Sequence, residues 1–223
     1  FSSDDTYEIL CQMSKKNTNI KLFPQKKFGT PTKNFHYLLG SKEFLNFDYI
    51  AFSDQDDIWF PDKLHNAHLE ITARKTVAYS SDVIAKYSNG KEIYIKKSYP
   101  LKKYDYFFES ASAGCTYVFK PWIISEYIEF INKYPKEIDI VDSHDWLIYA
   151  YIRSKNYGWY IDNHATMNYL QHENNAAGVN LGLKAYSKRF GEVFKGNYRT
   201  KCLIISNLFS DNNLELRILL EKK

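Results

Sequence analysis

Long apolar runs are missing from this chain of 223 residues; the longest candidates, 146–152 and 202–205, are far too short to span a bilayer as a helix. Cysteine is scarce as well. Cys11, Cys115 and Cys202 are odd in number and widely spaced, which argues against a disulfide framework and a zinc site and fits a reduced, cytosolic compartment. No signal peptide opens the chain, which begins Phe1-Ser2-Ser3-Asp4-Asp5-Thr6 and reads like a piece whose first segment is absent. A strong charge of one sign is also lacking. With 30 Lys plus Arg against 26 Asp plus Glu, the net charge of +4 is too small to argue for nucleic acid. No internal repeat and no low-complexity linker is present. What abounds is aromatic: 17% of the residues, 19 of them tyrosine, as suits clefts lined with amphipathic rings and equally as an AT-rich genome would produce. At 44% hydrophobic and 25% charged, the composition is globular, and the length suits one domain with a sizeable core.

Hydrophobic periodicity alternates between two and 3.6, the mark of α/β organisation. Helices are predicted from about residue 5 through 13, over 32–45, from Pro61 to about 74, from Pro121 through 131, and over 144–154 behind a Ser143 cap. Strands are predicted over 19–23, 47–53, 77–83, 115–119, 158–162 and 166–170, with Asn89-Gly90 as a hairpin turn. Residues 94–106, rich in lysine and tyrosine, read as a mobile loop. Two amphipathic helices, 183–194 and 198–220 with a break at 210–213, close the chain. The expected layout is an α/β domain over 1–180 and a helical tail over 181–223.

The most informative stretch is Ser53-Asp54-Gln55-Asp56-Asp57-Ile58-Trp59. Three carboxylates crowd into four positions directly after an apolar strand, at the end of a sheet where such folds bind ligands. Like charges this close repel, and a hard divalent cation such as Mg²⁺ or Mn²⁺ relieves that repulsion. The plainer reading is a solvated acidic turn favoured by the dipole of the helix that follows. A calcium loop lacks its glycine. Asp145 also follows a cap and begins an apolar helix, as a fixed carboxylate or as a second capping acid.

Residues 49–64, YIAFSDQDDIWFPDKL, resemble the metal-binding segment of family 2 glycosyltransferases of the GT-A fold, in particular their bacterial rhamnosyltransferase-like branch. Other segments match in the same order. Ser2-Ser3-Asp4-Asp5-Thr6 resembles the end of the family's DDGSSDDT element, and Gly29 with Lys33-Asn34-Phe35 its G…KNF helix start. Ala113-Gly114-Cys115-Thr116 is similar to its GCT element, His144-Asp145-Trp146-Leu147 to HDWWL, and Gln171-His172 with Asn174-Asn175 to YRQHxxN. The resemblance covers about 1–180 and implies a mixed α/β sheet flanked by helices.

It also implies a nucleotide-sugar donor, dTDP-rhamnose first, and a hydroxyl of a growing surface glycan or lipid-linked glycan as acceptor. Asp54-Gln55-Asp56 takes the place of the DXD motif, with Asp56 the foremost ligand of Mg²⁺ or Mn²⁺, and Asp54 and His172 completing the set. Asp145 takes the general base of an inverting transfer. Lys33 stands near the nucleotide, Gly114 and Cys115 where backbone approaches the donor sugar, and His144 and Trp146 at the acceptor side, although that tryptophan also suits a core. Leu170 departs from the pattern, standing where the family has arginine, and the family's first strand would precede Phe1. The rival reading is a degenerate, non-catalytic module that binds a nucleotide or glycan. Lys184, Lys188, Arg189, Lys195, Arg199 and Lys201 lie among apolar residues of the tail, so it either packs on the domain or docks on anionic lipid at the inner face of the membrane.

Overall fold

The computed structural model describes residues 4–24, 26–171 and 196–209. His172 and most of the basic tail lie outside the described residues, as do the predicted helix over 183–194 and everything beyond 209.

Seven α-helices among the described residues surround one mixed sheet. The helices are α1 (Thr6–Lys16), α2 (Pro31–Gly40), α3 (Lys63–Arg74), α4 (Pro121–Ile131), α5 (Pro135–Val141), α6 (His144–Ser154) and α7 (Asn197–Phe209). The strands are β1 (Ile50–Ala51), β2 (Ile58–Trp59), β3 (Ala78–Tyr87), β4 (Glu92–Ile95), β5 (Val118–Phe119) and β6 (Trp159–Gln171), ordered β1-β5-β3-β6-β2, with β4 also on β3. β3 and β6 run parallel and form the spine, while β1–β5, β5–β3, β4–β3 and β2–β6 are antiparallel.

Two faces of the sheet are apolar, as alternation along β3 and β5 requires. Ala78 and Phe119 enter the large core with α4, α6 and α7, whereas Tyr79 and Val118 turn to Ala67 and Ile71 of α3. Helix α7 brings Cys202, Ile205 and Phe209 into the large core, with the Phe209 ring stacked on Phe130 at 5.3 Å. Residues 197–209 of the tail therefore pack on the domain. No helix among the described residues is long and apolar enough to cross a membrane.

Several boundaries differ from the sequence reading. α4 and α6 begin and end where their Pro121 and Ser143 signals put them. α2 stops at Gly40, and a separate 3₁₀ turn, Glu43–Asn46, follows a left-handed Lys42 (φ 55°). The strand expected over 19–23 does not form: no ladder reaches it, so its alternation is left as extended loop. Only two residues of the 115–119 strand pair, because Gly114–Thr116 tightens into a 3₁₀ turn. The two strands expected over 158–162 and 166–170 are one strand, β6, which absorbs the interruption through register shifts opposite Ser81–Ile84.

The short strands matter for the site. β1 and β2 lie at opposite edges of the sheet, so residues 52–57 must cross it, above the ends of β5, β3 and β6. All three acidic residues sit on that crossing.

Candidate active site

The crossing loop brings together Asp54, Asp57 and the Cys115 thiol, whose ligand-type atoms all lie within 4.8 Å of one another. Asp57 is held through Oδ1 by the backbone N–H of Leu170 at 3.3 Å, while its Oδ2 is buried without a hydrogen-bond partner. Burial pushes the Asp54 carboxyl up to about 6, helped by the charges of Asp57, Asp56 and Asp145. Asp57 is raised for the same first reason. Asp56 is half-buried and outside the three-residue group, although its charge acts on both neighbours.

Burial also pushes the Cys115 thiol well above its ordinary value, so it stays protonated and is a poor ligand. That leaves two carboxylates, one with an orphaned buried oxygen, amid a local excess of negative charge. Such oxygen donors fit a hard ion such as Mg²⁺ or Mn²⁺, which takes one or two carboxylates and fills its remaining positions with water or phosphate oxygens.

One cation is built in. Lys63, the first residue of α3, is fully buried; its Nζ donates to the Cys115 carbonyl, and stands 3.6 Å from the Trp59 ring centroid. Desolvation lowers its pKa to about 8. Lys63 escaped the sequence reading, yet its signal was present: it precedes Ala67 and Ile71 at helical spacing, on the stripe that faces the sheet.

Asp145 approaches from α6. Ser143 occupies the N-cap position, but its hydroxyl caps no helix N–H; it donates to Asp145 Oδ1 at 2.6 Å. The same oxygen accepts from the Trp146 N–H at 2.9 Å. Oδ1 is thereby fixed, and Oδ2 receives no hydrogen bond from the described residues. Gly114 allows this approach: a Cβ there would stand 2.8 Å from His144 Nε2 and 3.3 Å from Asp145 Cβ. The His144 ring stacks on Phe35 at 4.3 Å, its backbone N–H reaches Thr32 Oγ1 at 3.2 Å, and burial holds its pKa below the ordinary range.

Asp54, Cys115, Gly114, His144 and Asp145 thus converge on the carboxyl end of the sheet. Lys33 does not join them: its ammonium pairs on the surface with Asp139 of α5 at 3.1 Å. Trp146 is buried in the core, with Nε1 on the Tyr106 carbonyl at 2.9 Å and Tyr198 stacked on its ring, so it supports α6 from behind.

A dTDP-rhamnosyl transferase of Shigella flexneri, RfbG, is 40% identical over 214 residues, which are 95% of this chain and 74% of that protein. The chain belongs to the rhamnosyltransferase-like glycosyltransferases. No family model matches it. Among solved structures, Staphylococcus aureus TarS 1–349 in complex with UDP-GlcNAc superposes with a TM-score of 0.60 at 16% identity, over 98% of this chain and 58% of that one. A second TarS structure gives 0.57 at 16% identity, over 99% of this chain and 35% of the other. At such identity the likeness is one of fold, and this rhamnosyltransferase-like chain spans little more than half of the first TarS chain and about a third of the second. The sheet flanked by helices is the GT-A fold that the motif order implied.

Proposed function

We propose that this domain transfers rhamnose from dTDP-rhamnose to a hydroxyl of a growing surface glycan, with inversion, in the presence of Mg²⁺ or Mn²⁺. The observation that carries this reading is Asp145: a carboxylate with one oxygen locked by Ser143 and Trp146 and the other unengaged, beside a cluster of acids. The identity to RfbG supports the donor.

Asp145 takes the proton of the acceptor hydroxyl as that oxygen bonds to the anomeric carbon, and the bond from that carbon to the diphosphate oxygen breaks on the opposite face. Fixing Oδ1 holds the carboxylate in one orientation, which is the part of the barrier that positioning removes. Asp54 and Asp57, with Asp56 beside them as the motif resemblance suggests, would hold the divalent ion. That ion, when bound, neutralises charge on the departing diphosphate. Gly114 lets backbone and donor approach closely, and Lys63 keeps the Cys115 turn in place below them.

The test is release of dTDP from dTDP-rhamnose with Mn²⁺ and a glycan acceptor, run beside UDP-glucose, UDP-galactose and GDP-mannose. Turnover of dTDP-rhamnose that Asp145→Asn abolishes, and that Asp57→Ala or Asp56→Ala weakens through the metal, is the expected result. Metal-dependent donor binding without turnover, unchanged by Asp145→Asn, would instead favour a non-catalytic binding module.

A further inference from the structure

We propose that the cavity between residues 96–111 and α6 is a subsite for an anionic group, phosphate or carboxylate, carried by the acceptor. The cavity measures about 450 Å³ and is lined by Lys96, Lys97 and Lys102, by Tyr99 and Tyr149, and by Glu109 among others. That size falls within the range of small-ligand sites, roughly 300–1,000 Å³. None of the three ammonium groups has a carboxylate at ion-pairing distance among the described residues; Lys96 lies 5.2 Å from the Tyr99 ring centroid. Asp105 also reaches the cavity, but the Arg153 guanidinium meets its Oδ1 at 3.0 Å, so Glu109 is the one lining acid without a described cation. Three unpaired cations against one such acid leave a positive hollow.

The hollow is built rather than incidental. The sequence predicts a mobile loop here, yet both lysine-bearing stretches are anchored on desolvated polar groups. Buried Asp82 accepts from the backbone N–H groups of Lys97 and Ser98, from the Ser98 hydroxyl, and from Tyr94. Arg153 donates to the Lys102 carbonyl at 2.9 Å while Asp105 accepts the Lys102 N–H at 2.8 Å. The anchors use backbone atoms and engage neither lysine side chain.

Its place relative to Asp145 assigns it to the acceptor. Tyr149 stands one helical turn after Asp145 on the same face of α6, about 6 Å along the axis. From the other side, Ser110 and Ala111 of the cavity wall run directly into Ser112–Gly114, and Gly114 abuts Asp145. An acceptor seated against Asp145 that carries an anionic group toward this wall would present it to the lysines. The acceptor assignment rests on the transferase reading above; the anion site itself does not.

The experiment titrates methyl phosphate and methyl glucuronide separately into the full chain, in divalent-free buffer at low salt, and follows backbone amide resonances of residues 96–111. The parent is compared with Lys97→Gln/Lys102→Gln and with Lys97→Arg/Lys102→Arg. We expect one anion to move those resonances, the glutamine pair to weaken its binding about tenfold or more, and the arginine pair to retain it. A preference for methyl phosphate points to a phosphorylated acceptor, and one for the glucuronide to an acidic sugar. No response to either anion, or equal binding by the glutamine pair, overturns the proposal. Binding of dTDP-rhamnose with Mn²⁺, measured on the same samples, is expected to be the same in all three; its failure in all three would refute the donor reading while leaving the anion result standing.

Discussion

Gly114→Ala offers a sharp test of how the site is assembled. The added methyl would meet His144 Nε2 at 2.8 Å, about 0.6 Å inside the 3.4 Å at which ordinary contact begins. The imidazole has little room to yield: it lies on Phe35 at 4.3 Å, has Phe52 at 5.8 Å, and its backbone is tied to Thr32. The second contact, 3.3 Å to Asp145 Cβ, pushes on the proposed base itself. Overpacking of this kind costs about 1–3 kcal/mol. For a chain of this length, each kcal/mol lowers the melting temperature by about 2–4 °C, so a fall of about 2–12 °C is expected. Relief by a shift of α6 would displace Asp145 by a fraction of an ångström, and displacement of that order costs up to about 10²-fold in turnover.

Thermal melting and dTDP release separate these effects. His144→Ala removes the atom in closest contact, so combined with Gly114→Ala it should recover part of the lost stability, a coupling that two independent substitutions would not show. In an Asp145→Asn background, Gly114→Ala should still lower the melting temperature but remove little further turnover. If Gly114→Ala melts within about 1 °C of the parent and turns over within about twofold of it, the tight junction between the Gly114 turn and α6 is refuted.

Asp145→Asn should lower turnover by about 10²–10⁴-fold while leaving donor affinity within about twofold, read by single-turnover kinetics and equilibrium binding. Because Asp54 is raised to about 6 in the folded chain, the metal-free fold binds its proton more tightly than the unfolded chain does; Asp54 thus adds stability as pH falls from about 6 toward 4, whereas Mn²⁺ must displace that proton. Mn²⁺ affinity should therefore drop about fivefold from pH 6 to pH 5 in calorimetric titrations, and affinity constant over that interval would refute the assignment of Asp54 as a ligand. Lys63→Met should destabilise by about 1–3 kcal/mol through the Cys115 carbonyl left without a donor, and should move the pH midpoint of Mn²⁺ binding upward; denaturant melts and the same titration check it. Phe209→Ala should cost about 3–5 kcal/mol in denaturant melts if α7 belongs to the core, and no measurable loss would show that it does not.

What the sequence made legible follows from where local and tertiary forces agree. α4 and α6 announce themselves because Pro121 favours a first helical turn, Ser143 stands at an N-cap position although its hydroxyl serves Asp145 instead, and an apolar run supplies each buried face. The Asn89-Gly90 turn does the same for β3 and β4, with Gly90 at φ 81°. The motif order carried the family, but neither the contact between Gly114 and Asp145 nor which acids share a space. Asp56 and Asp57 are adjacent in sequence, and only the crossing from β1 to β2, fixed by two strands of two residues each, turns Asp57 toward Asp54 and Cys115. β1 lies within the strand expected over 47–53, but β2 is a pair of residues too short to show any period, so the far end of the crossing and the orientation of the acids were hidden with it. Lys63 was hidden for the opposite reason: it sits on a readable apolar stripe, but a lysine there is ordinarily assumed to reach solvent. Its burial is tolerable because the Gly114–Thr116 turn supplies a carbonyl, β2 an indole face and the crossing loop nearby carboxylates to the same ammonium. The acids that repel one another and the lysine that water would otherwise claim are thus mutually dependent, and neither placement is intelligible from its own segment alone.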